Sequence, residues 1–183
     1  MARYARGDAA AFEMLYRRHE LRIWRYLERN VRNRATADEL MQEVWFAVAR
    51  DAPRYTPSAR FTTWLFTIAH NRLVDSIRRG RRHPVTETHE PDGSLALDAS
   101  GRYESAAPGA GPLAAAAAQE QASALARAFA QLPAEQRDAF LMQAEGELSV
   151  EEIAAITHAS FETTKSRLRY ARAKLRELLK EYA

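Results

Sequence analysis

Apolar side chains recur every three or four residues in the first half of the chain, which is the spacing of one face of an α-helix. They form three blocks, over residues 12–27, 40–48 and 61–77. Pro53 and Pro57 separate the last two blocks, and Asp8 and Thr36 are the predicted N-caps of the first two. Because no alternating strand pattern is present, the sequence predicts a bundle of three or four helices.

The second half of the chain continues the helical pattern in shorter pieces. One helix ends near Pro133, and Gly146 terminates the next. Ser149 and Glu152 have the spacing of a capping box, which predicts the start of another helix. After a tight turn, a longer basic helix with one apolar face runs over residues 161–178. A short helix, a turn of about four residues and a longer basic helix form a helix-turn-helix.

A segment without apolar periodicity lies between the two halves. Residues 83–112 hold four of the seven prolines and four of the seven glycines. Such a segment buries too little surface to offset the entropy of ordering its backbone. We therefore predict an all-α protein with two small helical domains, residues 1–82 and 113–183, joined by a flexible linker over residues 83–112. The C-terminal domain is the helix-turn-helix.

Charge is distributed unevenly along the chain. Residues 1–82 hold 17 basic and nine acidic side chains, residues 83–126 hold one and six, and residues 160–183 hold seven and three. Two basic zones separated by an acidic stretch indicate two places where a polyanion could dock.

Composition excludes several classes of protein. The chain has no cysteine, which excludes a disulfide scaffold, a thiolate zinc finger and a cysteine nucleophile. It has scattered histidines, no glycine-rich phosphate loop and no serine elbow, so we predict no enzyme, no cofactor and no metal site. Weak metal binding at His83 and His89 is a minor alternative. No apolar run approaches membrane-spanning length and the N-terminus lacks a signal-peptide pattern, so we expect a cytoplasmic protein without membrane insertion.

The last helix carries a pattern typical of DNA binding. Basic side chains surround its apolar stripe, and its first turns add short polar groups suited to base edges. These residues are Thr163, Lys165, Ser166, Arg167, Arg169, Arg172, Lys174 and Arg176. A solvated basic face is the simpler explanation, but the preceding capping box, short helix and turn favour DNA binding.

The pattern leaves the roles of two helices in the first half open. In the helix over residues 61–79, Phe61 and Trp64 lie beside hydroxyl groups and are followed by arginines, which suits single-stranded nucleic acid. The same aromatic residues also fit a helix core. The helix over residues 37–50 has an acidic face with Phe46 beside it, which favours a protein partner. Filling a broad bundle core is an equally good role for Phe46.

Five segments resemble conserved regions of bacterial sigma factors. The second conserved region is similar to DAAAFEMLYRRH (8–19), ADELMQEVWFAV (37–48) and FTTWLFTIAHNRLVDSIRR (61–79). The fourth region is similar to LPAEQRDAFLMQAEGELSVEEIAAI (132–156) and TTKSRLRYARAKLREL (163–178). Their order, with a linker in place of a third domain, resembles the extracytoplasmic-function (ECF) group. The resemblance covers nearly everything outside residues 83–126.

The resemblance implies a transcription initiation subunit that binds core RNA polymerase and promoter DNA. In the family, the helix matching residues 37–50 docks on the polymerase clamp helices, which implies this role for Asp38, Glu39, Gln42, Glu43 and Phe46. The loop and helix matching residues 51–79 open the −10 element and capture an unstacked base, which implies roles for Tyr55, Ser58, Arg60, Thr62, Thr63, Trp64, His70, Asn71, Arg72, Asp75, Arg78 and Arg79. The helix matching residues 160–178 reads the −35 element, which implies roles for Thr163, Thr164, Lys165, Ser166, Arg167, Arg169 and Arg172. An anti-sigma factor is a further expected partner, since family members are commonly held inactive by one.

The last helix departs from the family pattern at one position. Glu162 stands where the family often has glycine, and a carboxylate there repels phosphate unless it accepts a hydrogen bond from a cytosine. The −35 sequence therefore cannot be taken from relatives. A helix-turn-helix regulator that has lost initiation activity is the alternative function, and it would have no use for the acidic face over residues 37–50 or for Trp64.

Overall fold

The computed structural model describes residues 1–56, 60–82 and 112–182. Seven α-helices account for most of this part of the chain, and three short 3-10 turns accompany them. The helices are α1 (Ala9–Val31), α2 (Arg34–Asp51), α3 (Phe61–Arg82), α4 (Pro112–Ala130), α5 (Ala134–Gly146), α6 (Val150–Thr157) and α7 (Phe161–Leu178). No strand occurs in these ranges, so the all-α prediction is confirmed. In the predicted linker, residues 83–111 lie outside the described residues, and Pro112 is already helical.

Side-chain caps are present at the starts of the three helices, α1, α2 and α6, for which the sequence predicted them. The Asp8 carboxylate accepts the Ala11 N–H of α1 at 3.1 Å, as predicted. The prediction of Thr36 as a cap is wrong, because Asn33 is the N-cap of α2 and accepts the Thr36 N–H at 2.9 Å. An asparagine oxygen reaches this donor with the backbone extended, and α2 therefore starts earlier than the apolar pattern suggested. At α6, the predicted capping box between Ser149 and Glu152 is present in both directions.

The N-terminal module is a bundle of α1, α2 and α3. Its core contains Ile23 and Leu27 of α1, Val44 of α2 and Leu65 of α3, all fully buried. Helices α1 and α2 are also tied at the edge of this core, since the Trp24 Nε1–H donates to the Asp38 carboxylate at 2.8 Å. This arrangement turns one face of α2 outward and leaves the rest of α3 divided between solvent and the C-terminal module.

The C-terminal module contains the predicted helix-turn-helix. Helix α6 ends at Thr157, and His158 adopts a left-handed conformation with φ of 52° that turns the chain towards α7. Ser160 caps α7 by accepting the Thr163 N–H at 3.1 Å. Leu168 and Leu175 bury one face of α7, and the other faces stay accessible. The fold thus presents the basic side of α7 to a partner.

The two modules pack against each other around one continuous apolar core. The Tyr26 ring of α1 lies 5.2 Å from the Phe66 ring of α3, and both belong to the same buried cluster as Phe129 and Leu141 of the C-terminal module. At the end of α5, a Cβ atom on Gly146 would lie 3.1 Å from the Phe66 ring, so the absence of a side chain allows this close approach. Helices α1 and α5 form the centre of the contact between the modules, where the Tyr26 hydroxyl of α1 donates to the Asp138 carboxylate of α5 at 2.7 Å.

Candidate nucleic-acid interface

The outward face of α2 combines acidic groups with one apolar ring. Phe46 is 74% exposed, so the alternative that it fills the bundle core is wrong. Glu39 and Gln42 are also exposed on this helix. Asp38 is exposed as well, although one of its oxygens is held by Trp24. A large exposed ring beside carboxylates is typical of a protein contact surface.

A groove of about 800 Å³ runs between α2 and α3 beside Phe46. It is lined by Glu43, Phe46, Ala47, Arg50, Arg72, Asp75, Arg78 and Arg79. Within it, the Glu43 carboxylate lies 3.5 Å from Arg79 and 4.0 Å from Arg72. The guanidinium groups outnumber the carboxylates, so the α3 side of the groove is cationic and suits a polyanion.

The sequence interpretation missed Ala47 and Arg50 as groove residues. Both follow Glu43 at helical spacing on α2, by four and seven positions, so the periodicity placed them on the Glu43 face. That signal could have identified them.

Three aromatic rings gather where the chain enters α3. The Trp64 ring lies 5.0 Å from the Tyr55 ring and 5.9 Å from the Phe61 ring. All three residues are half-buried, and Phe61 and Trp64 pack against the core while keeping part of their surface accessible. The position of Trp64 is therefore compatible with both roles that the sequence left open, packing in the helix core and stacking on single-stranded nucleic acid. Thr62 is half-buried beside these rings, and Ser58 lies outside the described residues.

Three of the residues assigned to −10 recognition contact the C-terminal module. Arg60 donates to the Glu152 carboxylate of α6 at 2.6 Å, and the Thr63 hydroxyl donates to the same group at 2.5 Å. His70 Nδ1 lies 3.1 Å from the Asp138 carboxylate of α5. The other members of this set on α3, Asn71, Asp75, Arg78 and Arg79, are exposed, and Arg72 is half-buried in the groove.

Among the acidic groups in these contacts, Glu152 has the most strongly shifted pKa. Partial burial by itself raises the pKa of Glu152, but hydrogen bonds from Arg60, Thr63 and the Ser149 N–H outweigh burial and lower its pKa to about 2. The carboxylate is therefore ionised at neutral pH, and Arg60 faces a full negative charge from α6.

Helix α7 exposes most of the side chains assigned to the −35 element. Thr163, Lys165, Arg169 and Arg172 are exposed, and Ser166 and Arg167 are half-buried. The structure corrects the assignment of Thr164. Its side chain is fully buried and its hydroxyl donates to the Ser160 carbonyl at 3.0 Å, which leaves no surface for DNA.

Several basic groups of α7 are held by neighbouring side chains. Arg167 donates to the Glu135 carboxylate of α5 at 2.5 Å, and Arg172 donates to the Gln143 side chain. The Arg169 guanidinium stacks on the Tyr170 ring, 4.8 Å from its centroid. These contacts fix the directions in which the cations project.

A second hollow, of about 370 Å³, lies at the start of α7. Its lining consists of Gln136, Glu162, Thr163, Ser166, Arg167 and Tyr170. Gln136 and Tyr170 were not predicted. Tyr170 follows Ser166 and Arg167 by one helical turn, which is a signal for the same face, whereas Gln136 comes from α5 and no pattern in the sequence brings it there.

Two further features were sought within the described ranges: a cluster of metal ligands and a membrane-spanning helix. No cluster of three histidine or acidic side chains there could hold a metal ion. None of the helices in the same ranges has the length and hydropathy that a bilayer crossing requires. His83 and His89 lie outside the described residues.

Comparison with known proteins identifies the family. The Sigma-70 region 2 model matches residues 15–83, and the Sigma-70 region 4 model matches residues 122–175. The RNA polymerase sigma factor CarQ of Myxococcus xanthus is 35% identical over 186 aligned residues, which cover 99% of this chain and 96% of CarQ. Further relatives, at 30% and 32% identity, are named ECF RNA polymerase sigma factors. The chain belongs to the ECF sigma factor family.

Two solved structures share the fold of this chain. The sigma factor RpoE of Bartonella quintana, solved in complex with the anti-sigma factor NepR, matches with a TM-score of 0.66 and 25% identity. The match covers 93% of this chain and 97% of that one. CnrH, solved in complex with the cytosolic domain of CnrY, matches with a TM-score of 0.67 at 21% identity, over 100% of this chain and 96% of CnrH.

The family assigns the general function. The ECF sigma factor described here directs promoter-specific transcription initiation through regions that bind core RNA polymerase and promoter DNA. The alternative of a regulator without initiation activity is not favoured, because the chain matches region 2 in addition to the helix-turn-helix.

Proposed function

We propose that the acidic face of α2 is the polymerase-binding surface and that the groove beside it receives the −10 DNA. The observation that carries this proposal is the 74% exposure of Phe46 at the rim of a groove whose α3 side is cationic. Asp38, Glu39, Gln42, Glu43 and Phe46 then contact polymerase. An apolar ring surrounded by polar groups is the usual composition of an interface hot spot.

In this proposal, α3 and the turn before it bind the unpaired −10 strand. Extracting a base from the duplex costs a few kcal/mol, so a stacking surface must compensate. The half-buried rings of Tyr55 and Trp64 provide such a surface, with Thr62 and Thr63 beside them. The assigned cationic and polar groups that follow the backbone are Arg60, His70, Asn71, Arg72, Asp75, Arg78 and Arg79. Ser58 belongs to the same assignment from its sequence position.

In the same proposal, α7 recognises the −35 element. Exposure of Thr163 and Lys165 at the start of the helix supports contacts with base edges, together with Ser166. Arg167, Arg169 and Arg172 lie further along the helix and are assigned to phosphates. Thr164 is left out because it is buried.

The domain organisation and the cellular context belong to the same proposal. Region 2 occupies residues 1–82, the linker 83–112 and region 4 residues 113–183, and the matched ranges 15–83 and 122–175 support this division. The protein acts by binding, without catalysis of its own, and it works in the cytoplasm where its polymerase and promoters are found.

An anti-sigma factor is the proposed regulatory partner. This follows from the likeness to the Bartonella quintana sigma factor that was solved with NepR. A protein that co-purifies with this chain in equal amounts and prevents its binding to core polymerase would support the assignment. Full polymerase binding by the chain in the presence of every co-purifying protein would contradict it.

Binding of core polymerase by a charge-reversal variant tests the α2 assignment. Glu39→Lys combined with Gln42→Lys should abolish capture of core RNA polymerase. Gln119→Lys combined with Glu120→Lys is the matched control, since both residues are exposed on α4 and undergo the same chemical change. Equal polymerase binding by the two variants would overturn the assignment of α2.

Transcription on fragmented genomic DNA tests the promoter function. Purified core polymerase with this chain should produce discrete transcript starts that share two upstream elements. The α2 variant should produce none of these starts, and the α4 control should produce all of them. Starts that persist with the α2 variant would show that α2 is not needed for initiation.

A further inference from the structure

Helix α7 carries two carboxylates, and they differ in their surroundings. Glu177, near the end of the helix, accepts from the Lys174 ammonium group at 3.1 Å. Glu162, in the first turn, is exposed, and no side chain in the described part of the chain pairs with it. A carboxylate at this end of a helix gains from the helix dipole but repels the DNA phosphates that the proposed function brings to α7. A hydrogen bond from a base to the Glu162 carboxylate would offset that repulsion.

Helical spacing places Glu162 on the side of α7 that points away from the core. The buried side chains of the helix are Thr164, Leu168, Ala171 and Leu175. At about 100° per residue, the opposite side carries Glu162, Ser166, Tyr170 and Ala173. A recognition helix that packs on its own domain by one side presents the opposite side to the base edges of the major groove. Ser166, between Glu162 and Tyr170, is short enough to let those edges approach.

Tyr170 adds an apolar surface to the same side of α7. Its ring is 54% exposed, and it lines the hollow of about 370 Å³ together with Glu162. The Arg169 guanidinium lies 4.8 Å from the ring centroid and donates to the Tyr170 hydroxyl at 3.1 Å. Because Arg169 engages the hydroxyl and covers the ring, the accessible part of Tyr170 is mainly carbon. In the major groove, an apolar contact of this kind recognises the C5 methyl group of thymine.

We propose that Glu162 and Tyr170 determine the base preference of this chain at two positions of the −35 element. Glu162 accepts a hydrogen bond from the N4 amino group of a cytosine, and the Tyr170 ring packs against the methyl group of a thymine. The two residues lie about 12 Å apart along the helix, so the two bases are about three to four base pairs apart. The inference rests on the proposed function, because it uses the assignment of α7 to the −35 element.

A promoter library tests these preferences in the assembled transcription system. A promoter recovered from transcription of genomic fragments is randomised over its −35 element and transcribed by core RNA polymerase with the full chain. A barcode in each transcript identifies the −35 sequence of its template. The wild-type chain should select cytosine at one position and thymine about three to four base pairs away.

Substitutions at the two residues should change one preference each. Glu162→Gln should lower the selection of cytosine over adenine by about tenfold, since a glutamine amide pairs with adenine. Tyr170→Ala should lower the selection of thymine by about fourfold, the contribution of one buried methyl group, and Tyr170→Phe should retain it. Glu181→Gln and Tyr182→Ala are the matched controls, because both residues are exposed beyond the end of α7 and should leave both preferences unchanged.

The outcomes separate base readout from the function on which it rests. Wild-type preferences in both Glu162→Gln and Tyr170→Ala would overturn the inference and leave the assignment of α7 intact. A uniform rise in transcription from all templates with Glu162→Gln would show that the carboxylate only repels DNA, which would also overturn its role in readout. A wild-type chain that selects no −35 sequence would overturn the assignment of α7 itself.

Discussion

Arg60 and Glu152 are 92 positions apart in the chain, and their side chains meet at 2.6 Å. The same Glu152 carboxylate accepts the Ser149 N–H at 2.8 Å and so caps α6. One side chain therefore serves both the local start of a helix and the contact between two modules. A substitution at this position has to preserve the first role before its effect on the second can be measured.

We expect Phe46→Ala to weaken polymerase binding without affecting the fold. Because the ring is 74% exposed, the free energy of unfolding should change by less than about 0.5 kcal/mol. Affinity for core RNA polymerase should fall by roughly tenfold or more, as for an interface hot spot. Competition against the wild-type chain for limiting polymerase gives the affinity. Met14→Ala, at an exposed apolar residue of α1, is the control and should compete normally.

Lys165→Ala and Arg169→Ala should affect −35 binding in different ways. Lys165→Ala should change base preference at one position by roughly 1–3 kcal/mol. Arg169→Ala should reduce the slope of log affinity against log salt by about 0.9, the contribution of one phosphate contact. Anisotropy titrations of −35 duplexes at several salt concentrations separate the two effects. A uniform loss over all duplex sequences with Lys165→Ala would remove this residue from base readout.

Tyr26→Phe should destabilise the protein, although it removes only one oxygen atom. The ring is fully buried and its hydroxyl donates to the Asp138 carboxylate at 2.7 Å. Removal of this donor leaves a partly buried carboxylate short of a partner, at a cost of about 1–2 kcal/mol. Urea unfolding at neutral pH measures the change. The control is Tyr182→Phe near the C-terminus, where the ring is exposed and the stability should be unchanged.

The stability of the protein should fall as the pH drops from about 7 to about 5, because of His19. Burial lowers the pKa of His19 from its ordinary value of 6.5, and the nearby Arg18 and Arg22 charges lower it further. The unfolded chain therefore takes up a proton at a higher pH than the folded chain does. The stabilisation from neutral His19 is fully present above pH 6.5 and is lost as the pH falls towards the lowered pKa.

Unfolding curves over this pH range test the assignment to His19. His19→Gln should reduce the pH dependence of the unfolding free energy. His158→Gln, at an exposed residue between α6 and α7, should retain it. An unchanged pH dependence in His19→Gln would show that another group is responsible.

Local features of this fold were predictable from the sequence because they depend on neighbours in the chain. The Asp8 cap and the Ser149–Glu152 capping box involve residues three positions apart, and both are present. The start of α2 was misplaced because asparagine and threonine both form caps, and the apolar pattern did not distinguish Asn33 from Thr36.

Contacts between distant residues were not predictable in this way. Helical periodicity places Glu152 on a face of α6 but does not specify which part of the chain that face meets. The burial of Thr164 follows from its spacing with Leu168 and Leu175 on the apolar stripe of α7, whereas its assignment to DNA came from the family resemblance alone. The exposure of Phe46 depends on how α2 is rotated against α1 and α3, which only the packed bundle determines.

The continuous core has a consequence for the way this protein melts. Tyr26 and Phe66 on one side of the linker and Phe129 and Leu141 on the other belong to a single buried cluster. Each module by itself is small enough to be only marginally stable. Because the two halves share one core, we expect the chain to unfold in one cooperative transition. Separation of the two halves would expose part of that core to water. A variant in which the halves separate more easily should therefore melt at a lower temperature.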